Sequence, residues 1–244
     1  MFDNLTVIIL AAGQGKRMLS DKAKVLHEIK NKPMLFYVMG AARIIAGDNL
    51  VVVVGHQHKI VRETALLNGP AKFALQHRQN GTGDAVMVGM AALSENTQRV
   101  LILCGDVPLI SAATLTAFVE NHLAQNAKVS VLGVYHENPY GYGRIIQDDD
   151  GQPIGIVEEA DADEEQKAIK IVNSGIYCIE TSVLYHALPM IENNNAQNEV
   201  YLTDIIAISR DMGYETAMFV SKNACEVLGI NTVDELKRVE SMLN

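Results

Sequence analysis

Short apolar runs rich in β-branched residues alternate along this chain with stretches whose apolar positions recur every three or four residues. The runs at 7–10, 50–54, 73–75, 100–104 and 129–134 read as strands, and the stretches at 33–46, 60–67, 82–93 and 112–124 read as helices. A strand that is apolar at every position, such as Val51-Val52-Val53-Val54, buries both faces, which requires helices on each side of a mostly parallel sheet. The fold class is therefore α/β, a Rossmann-like doubly wound sheet. Beyond residue 135 the alternation weakens. Short strands are expected around Ile145, Ile156 and Ile176, with acidic loops at 148–151 and 158–165 between them; helices follow at 202–212 and 233–243, and a strand at 216–220. This half reads as an elaborated, partly antiparallel lobe packed on the same sheet. No Pro/Gly/Ser linker, low-complexity tract or internal repeat divides the chain, so one domain over 1–244 is expected, with lobes at 1–134 and 135–230 and a C-terminal helix at 231–244.

With 244 residues, 48% hydrophobic and 20% charged, the chain has the composition of a protein with a full-sized core. No apolar run approaches the roughly 18 residues that a membrane helix needs. Met1 leads through Asp3 and Asn4 into a strand without a basic, cleavable leader, so export is not expected. Cys104, Cys178 and Cys225 are odd in number and lack CxxC spacing, which indicates neither a disulfide framework nor a zinc site; a reduced, cytoplasmic compartment is expected. The net charge of -9 is unevenly spread: residues 1–32 hold six cations against three carboxylates, +3, which leaves -12 for the rest. Such an acidic chain is a poor general binder of nucleic acid or membrane, yet its basic end suits a small, highly anionic ligand.

That end contains Leu10-Ala11-Ala12-Gly13-Gln14-Gly15-Lys16-Arg17-Met18, a small-residue loop leaving the first strand. Glycines let the backbone N–H groups approach an anion, and Lys16 and Arg17 add full charges, so a triphosphate suits the loop; the alternative is a tight strand-to-helix turn with solvated cations. A dinucleotide fingerprint would need glycine at Met18, and a P-loop would need a different spacing. Asp106 follows an apolar strand and Gly105, at the carboxyl edge where open α/β sheets bind ligands. Its carboxylate suits a hard cation such as Mg2+, or a turn or cap. Asn231, just before a helix, reads equally as a cap. Gln76 and Gln79 lead into Gly81-Thr82-Gly83, a turn opening a helix, where amides and backbone groups can meet a base edge; Gln79 can also be a solvated loop residue and Thr82 a cap. His56 and His58 lack a third metal ligand and read as loop or packing residues. Cys104 reads as a buried small residue. Glu159, Asp161, Asp163, Glu164 and Glu165 read as a solvated acidic face.

The loop, with Lys24-Val25-Leu26 after it, resembles the sugar nucleotidylyltransferase family, whose signature is LAAGxGxRM followed by a lysine before an apolar pair. The resemblance continues in order through Gln76 to Gly83, Gly105-Asp106, Tyr142-Gly143-Arg144, Glu158-Glu159, Asn173-Ser174-Gly175, residues 193–197 and Gly229-Ile230-Asn231, and so spans nearly the whole chain. It is nearest to the uridylyltransferase branch that acts on N-acetylglucosamine 1-phosphate. The resemblance implies a nucleotide-diphospho-sugar transferase fold, with a mainly nucleotide-binding first lobe and a mainly sugar-binding second one. It implies nucleotide contacts from Leu10, Ala11, Ala12, Gly13, Lys24, Gln76, Gln79, Gly81, Thr82 and Gly105, and sugar contacts from Gly143, Glu158, Asn173, Tyr201 and Thr203. Arg17 and Lys24 are the implied catalytic residues, and Asp106 with Asn231 the implied Mg2+ ligands.

The implied reaction joins UTP and N-acetylglucosamine 1-phosphate into UDP-N-acetylglucosamine, a precursor for cell-wall peptidoglycan and lipopolysaccharide, with release of pyrophosphate. No general base is required, because a phosphate monoester is already ionised. Lys16, Ala23, Asp84, Ser174 and Val200 depart from the family pattern: Lys16 adds a charge beside the phosphates, and Val200 is expected near the sugar pocket. Family members of this branch also carry a β-helix acetyltransferase built of hexapeptide repeats. No such repeat occurs here, so the isolated chain is expected to lack that activity and to be a monomer, or part of a trimer within a longer protein. The competing readings are transfer to another sugar phosphate or from dTTP, a non-catalytic nucleotide-sugar sensor, and a dinucleotide oxidoreductase, which the missing third glycine disfavours.

Overall fold

A computed structural model describes residues 1–242. Strand β1 (Leu5–Ala11) leads to a small hairpin, β2 (Glu28–Ile29) and β3 (Lys32–Pro33), and then to α1 (Met34–Ala46), β4 (Leu50–Val54), α2 (His58–Leu66), β5 (Lys72–Leu75), α3 (Thr82–Met90), β6 (Arg99–Cys104) and α4 (Ala112–Ala124). The second half runs β7 (Val129–Tyr135), β8 (Arg144–Gln147), β9 (Pro153–Val157), α5 (Glu164–Lys167), β10 (Ile171–Glu180), α6 (Thr181–Ala187), α7 (Ile205–Asp211), β11 (Thr216–Ser221) and α8 (Val233–Met242). Leu243, where the last helix was expected to end, lies outside the described residues. The main sheet has the order β11-β7-β10-β6-β1-β4-β5, with β8 attached to β10 and β9 to β8.

The continuous apolar strands are buried on both faces, as their composition requires. Val7 and Ile9 of β1, Val52 of β4 and Leu101 and Leu103 of β6 meet α1, α2 and α4 on one side. Ile8, Val51, Val53, Val100 and Ile102 meet α3, α6 and α7 on the other. Side chains alternate faces along a strand, so each valine run feeds two cores at once. A smaller cluster of Met18, Ile29, Met34, Ile230 and Val239 packs α8 and the segment before it onto the basic N-terminal segment.

The sheet departs from expectation in one respect. The strand around Ile176 is not peripheral: β10 is ten residues long and lies between β6 and β7, antiparallel to both, while β1, β4, β5 and β6 pair in parallel, as do β7 and β11. Its register shifts between Asn173 and Tyr177, with Gly175 at φ 77°. Such a bulge re-aims the side chains beside it. The helix expected over 202–212 begins as a 3-10 turn, Leu202–Asp204, before α7. The short helix α6 carries no strong periodic signal and was not anticipated.

The acidic run is less solvated than its composition suggests. Glu159 accepts a 2.7 Å bond from the guanidinium of Arg144, which is itself only 1% exposed. Asp163 caps α5 in a reciprocal box with Gln166, and Asp161 accepts from the backbone N–H of Ala196. Asp161, Asp163, Glu164 and Glu165 all remain exposed as expected, and Glu159 is the one that departs from the solvated face. The sequence could not show this, because Arg144 reaches Glu159 across a hairpin. Arg144 holds the Glu159 carboxyl below its usual range. Glu159→Ala strands a buried cation, and with Glu159 partly exposed the expected cost is about 2–3 kcal/mol, a fall in Tm of roughly 5–10 °C in a melt at neutral pH. Because the folded carboxyl is depressed, this contribution is full above its ordinary value of 4.5 and is lost as pH falls through the lower folded value. The melting difference from the unsubstituted chain should therefore shrink on acidification.

Candidate active site

At the carboxyl ends of β1 and β6, Lys24, Asp106, Asn231 and Arg17 converge from three distant parts of the chain. Lys24 Nζ donates to Asp106 Oδ2 and, at 2.7 Å, to Asn231 Oδ1, while Arg17 donates to the same amide oxygen at 2.9 Å. Local structure makes this approach possible. Gly15 adopts φ 68°, and a Cβ there would lie 2.7 Å from that of Lys24. The following turn buries Val25 and Leu26 and so anchors the lysine stem. Asn231 is not the helix cap: Thr232 Oγ1 accepts from the Glu235 N–H at 3.2 Å, and Glu235 accepts in return from the N–H groups of Thr232 and Asn231. Its side chain is thereby left to face the lysine. Asp106 is fixed from behind, since its backbone oxygen accepts from Ile230 N–H at 2.9 Å.

Arg17, Lys24 and Asn231, but not Asp106 behind them, line a cavity of about 460 Å³ together with Gly13, Gln14, Gly15, Lys16, Gln79 and Glu199. Beside it the Gly105 N–H donates to the Leu10 carbonyl at 2.9 Å, and the Ala12 carbonyl accepts from the His56 N–H. Gln79 therefore belongs to the pocket wall. Gln76 is buried, and its amide donates to Asp84 at 2.6 Å and to the Gly81 carbonyl at 3.2 Å, so it braces the turn from within. Thr82 is no cap; its Oγ1 accepts from Leu202 N–H at 3.1 Å.

That bond is part of a strap. Val200 donates through its N–H to the Asn80 carbonyl and accepts from the Gly83 N–H, both at 2.8 Å. Val200 lies against the Gly81–Gly83 turn, because its backbone is paired there, one residue before Tyr201 in the strap. Asn195 holds the strap from the other side, donating to the Glu199 carbonyl at 2.6 Å.

Beyond the strap lies a second cavity, of about 370 Å³, lined by Glu158, Asp161, Asn195, Tyr201 and Asp204 among others. Gly143 and Asn173 lie beside Glu158: the Gly143 carbonyl accepts from Asn173 N–H at 2.9 Å, and Asn173 Oδ1 accepts from Gly175 N–H in the β10 bulge. Burial pushes the Glu158 carboxyl up, against the stabilising effect of the Thr203 hydroxyl. Burial also raises the Tyr201 phenol to about 12, and its hydroxyl has no hydrogen-bond partner among the described residues. Thr203 is buried with it. The structure therefore brings the sequence-derived residues into two adjoining groups. Glu199 and Asn195 were missed, because nothing in their local pattern marks a wall between two cavities.

Other candidates stay structural. Burial raises the Cys104 thiol to about 12, so it remains protonated, and His56 meets only the Asp21 carbonyl at 3.4 Å. No group of three or more His, Cys, Asp or Glu side chains able to hold a metal occurs among the described residues. Asp106 and Asn231 do offer two hard oxygens within reach of one ammonium, which fits a cation such as Mg2+ that draws its remaining ligands from water and substrate phosphates. None of the helices in the described residues is long and apolar enough to cross a membrane.

A glycine-rich anion loop, clustered cations and paired oxygen ligands at the carboxyl edge of a doubly wound sheet define a nucleotide-handling transferase site. The chain belongs to the nucleotidyl transferase family, whose model matches residues 6–225. It is 46% identical over 228 residues to the bifunctional protein GlmU of Geobacter metallireducens, covering 93% of this chain and 48% of that protein. It is 40% identical to the bifunctional protein GlmU of Desulfotalea psychrophila, covering 98% of this chain and 70% of the relative. Over most such relatives it spans about half their length, for example 53% in Geotalea uraniireducens. A putative glucose-1-phosphate thymidylyltransferase from Bacillus anthracis shares the fold, with a TM-score of 0.74, 18% identity and coverage of 98% of this chain and 94% of that one.

The Gly81 turn offers a direct test of the strap. At φ 113°, a Cβ on Gly81 would collide with the Val200 carbonyl and lie 2.8 Å from its nitrogen. Gly81→Ala is expected to cost roughly 2–4 kcal/mol, from left-handed strain plus overpacking. Urea unfolding measures the loss, and the Tm increase on adding nucleotide should vanish in this variant.

Proposed function

We propose that this chain transfers the uridylyl group of UTP to N-acetylglucosamine 1-phosphate, forming UDP-N-acetylglucosamine and pyrophosphate. The observation that carries this reading is the convergence of Arg17, Lys24 and Asn231 on a cavity of about 460 Å³, with Asp106 bonded to Lys24, next to a second cavity lined by Glu158 and Tyr201. In the reaction a sugar phosphate oxygen attacks the α-phosphorus, a P–O bond forms there, and the bond to the β-phosphate oxygen breaks as pyrophosphate leaves. The work of the protein is positioning and charge neutralisation. Lys24 and Arg17 stabilise the negative charge on the transferring and departing phosphates, and the Gly13–Gly15 loop supplies backbone N–H groups. The turn at Gln76 to Gly83 receives the uracil, with Gln79 at the pocket wall. Glu158, Asn173, Tyr201, Thr203 and the Gly143 backbone receive the sugar. Asp106 and Asn231 would hold Mg2+, whose chemistry here is to neutralise charge on phosphate oxygens. The partners are these small molecules, not nucleic acid or membrane.

A screen of pyrophosphate release across nucleoside triphosphates and sugar 1-phosphates should give the highest rate for UTP with N-acetylglucosamine 1-phosphate; faster turnover with dTTP or glucose 1-phosphate would reassign the substrates. Asp106→Asn and Lys24→Ala should each lower kcat on the order of a hundredfold or more with a far smaller effect on folding, a modest fall in Tm from the broken ion pair, since each removes a charge contribution of several kcal/mol at the reacting phosphates. Glu164→Ala, on the solvated surface, should leave the rate as it is.

The raised Glu158 carboxyl sets a pH dependence. Its charged form is lost on acidification at a higher pH than for an ordinary glutamate, so KM for the sugar phosphate should begin to rise above the usual 4.5. Initial-rate profiles should show this rise for the sugar phosphate and lose it in Glu158→Gln, where no carboxyl remains to titrate.

A further inference from the structure

Lys24 holds one carboxylate oxygen of Asp106 and the amide oxygen of Asn231, the two residues proposed to bind the metal. Its ammonium donates to Asp106 Oδ2 and, at 2.7 Å, to Asn231 Oδ1. An ammonium and a divalent cation cannot both sit in direct contact with one carboxylate oxygen and one amide oxygen, because their mutual repulsion in a partly desolvated site is large. The ammonium is also well held. The Lys24 and Asp106 side chains are only 14% and 22% exposed, and Arg17 adds a second cation on Asn231 Oδ1 at 2.9 Å. Lys16 differs from both: it lines the same cavity, and among the described residues its ammonium has no protein partner.

We infer that Lys24 is a resident counter-ion that closes the metal site until a polyphosphate draws it away, so that a divalent cation is accepted with the polyphosphate and excluded without it. A polyphosphate entering the cavity meets the free charge of Lys16 first. It then offers Lys24 an anion in place of Asp106, and its oxygens supply the ligands that two protein oxygens alone cannot provide. Polyphosphate and metal thereby favour each other through the displacement of one side chain, and the coupling is reciprocal. The inference rests on Asp106 and Asn231 being the metal ligands.

The test measures metal binding without turnover. Mn2+ is titrated into the full chain in the absence of any nucleotide, and free Mn2+ is read by electron paramagnetic resonance. The unsubstituted chain should bind weakly, and Lys24→Met should bind roughly 5- to 150-fold more tightly, the usual span of coupling between sites. Lys24→Arg keeps a cation and should stay weak. Lys24→Gln gives a second neutral variant should Lys24→Met not melt cooperatively. Neutral variants that bind Mn2+ no more tightly than the unsubstituted chain overturn the inference. Adding Asp106→Asn to Lys24→Met should remove the gained binding; if it does not, the cation lies elsewhere and the metal assignment of Asp106 falls as well.

Discussion

The closure of Asp106 and Asn231 on the Lys24 ammonium is the interaction around which the site is built. It joins a residue near the N-terminus to one at the end of β6 and to one just before the last helix, 82 and 207 positions away. Each partner is prepared independently. Gly15 gives the lysine room, Ile230 N–H fixes the Asp106 backbone, and Thr232 takes over the cap that Asn231 would otherwise supply. The small apolar cluster of Met18, Ile29, Met34, Ile230 and Val239 brings Arg17 and Asn231 together by burying their chain neighbours. Burial of ordinary hydrophobes thus does the assembling, at about 25 cal/mol per Å², and the polar atoms are delivered to one place as a result.

The second constraint is the strap at residues 195–203. Its backbone pairs with the turn that opens α3, while its side chains Asn195 and Tyr201 face the other cavity. The two cavities therefore share one hydrogen-bonded wall, and movement of either side is felt by the other. β10 lies antiparallel at the centre of the sheet, and within its bulge Asn173 Oδ1 accepts from Gly175 N–H. A straight strand would alternate Asn173 and its neighbours strictly between faces; the bulge breaks that rule.

Much of the first half of the fold was legible because its signals are local. The valine runs specify strands buried on both faces, and the period of the intervening stretches specifies helices, whatever the rest of the chain does. The loop from Leu10 to Met18 was legible for the same reason: its small residues and cations are consecutive, and Gly13 to Arg17 line one cavity. The second half was less legible. The place of β10 in the sheet depends on which strands lie beside it, and a ten-residue segment does not encode its neighbours.

What the sequence determined by itself was the α/β class and the ends of most elements; the family resemblance added the candidate residues Lys24, Asp106 and Asn231. Tertiary structure decided what those residues do to one another. It assigned the cap to Thr232 and freed Asn231, turned Val200 onto the α3 turn, and drew Glu159 out of a nominally solvated run to neutralise Arg144. The physical reason is range. Strand and helix patterns arise from contacts within a few residues, whereas desolvation and ion pairing depend on the position of a charge in three dimensions, and residues 15 to 207 positions apart become neighbours only after the sheet has formed.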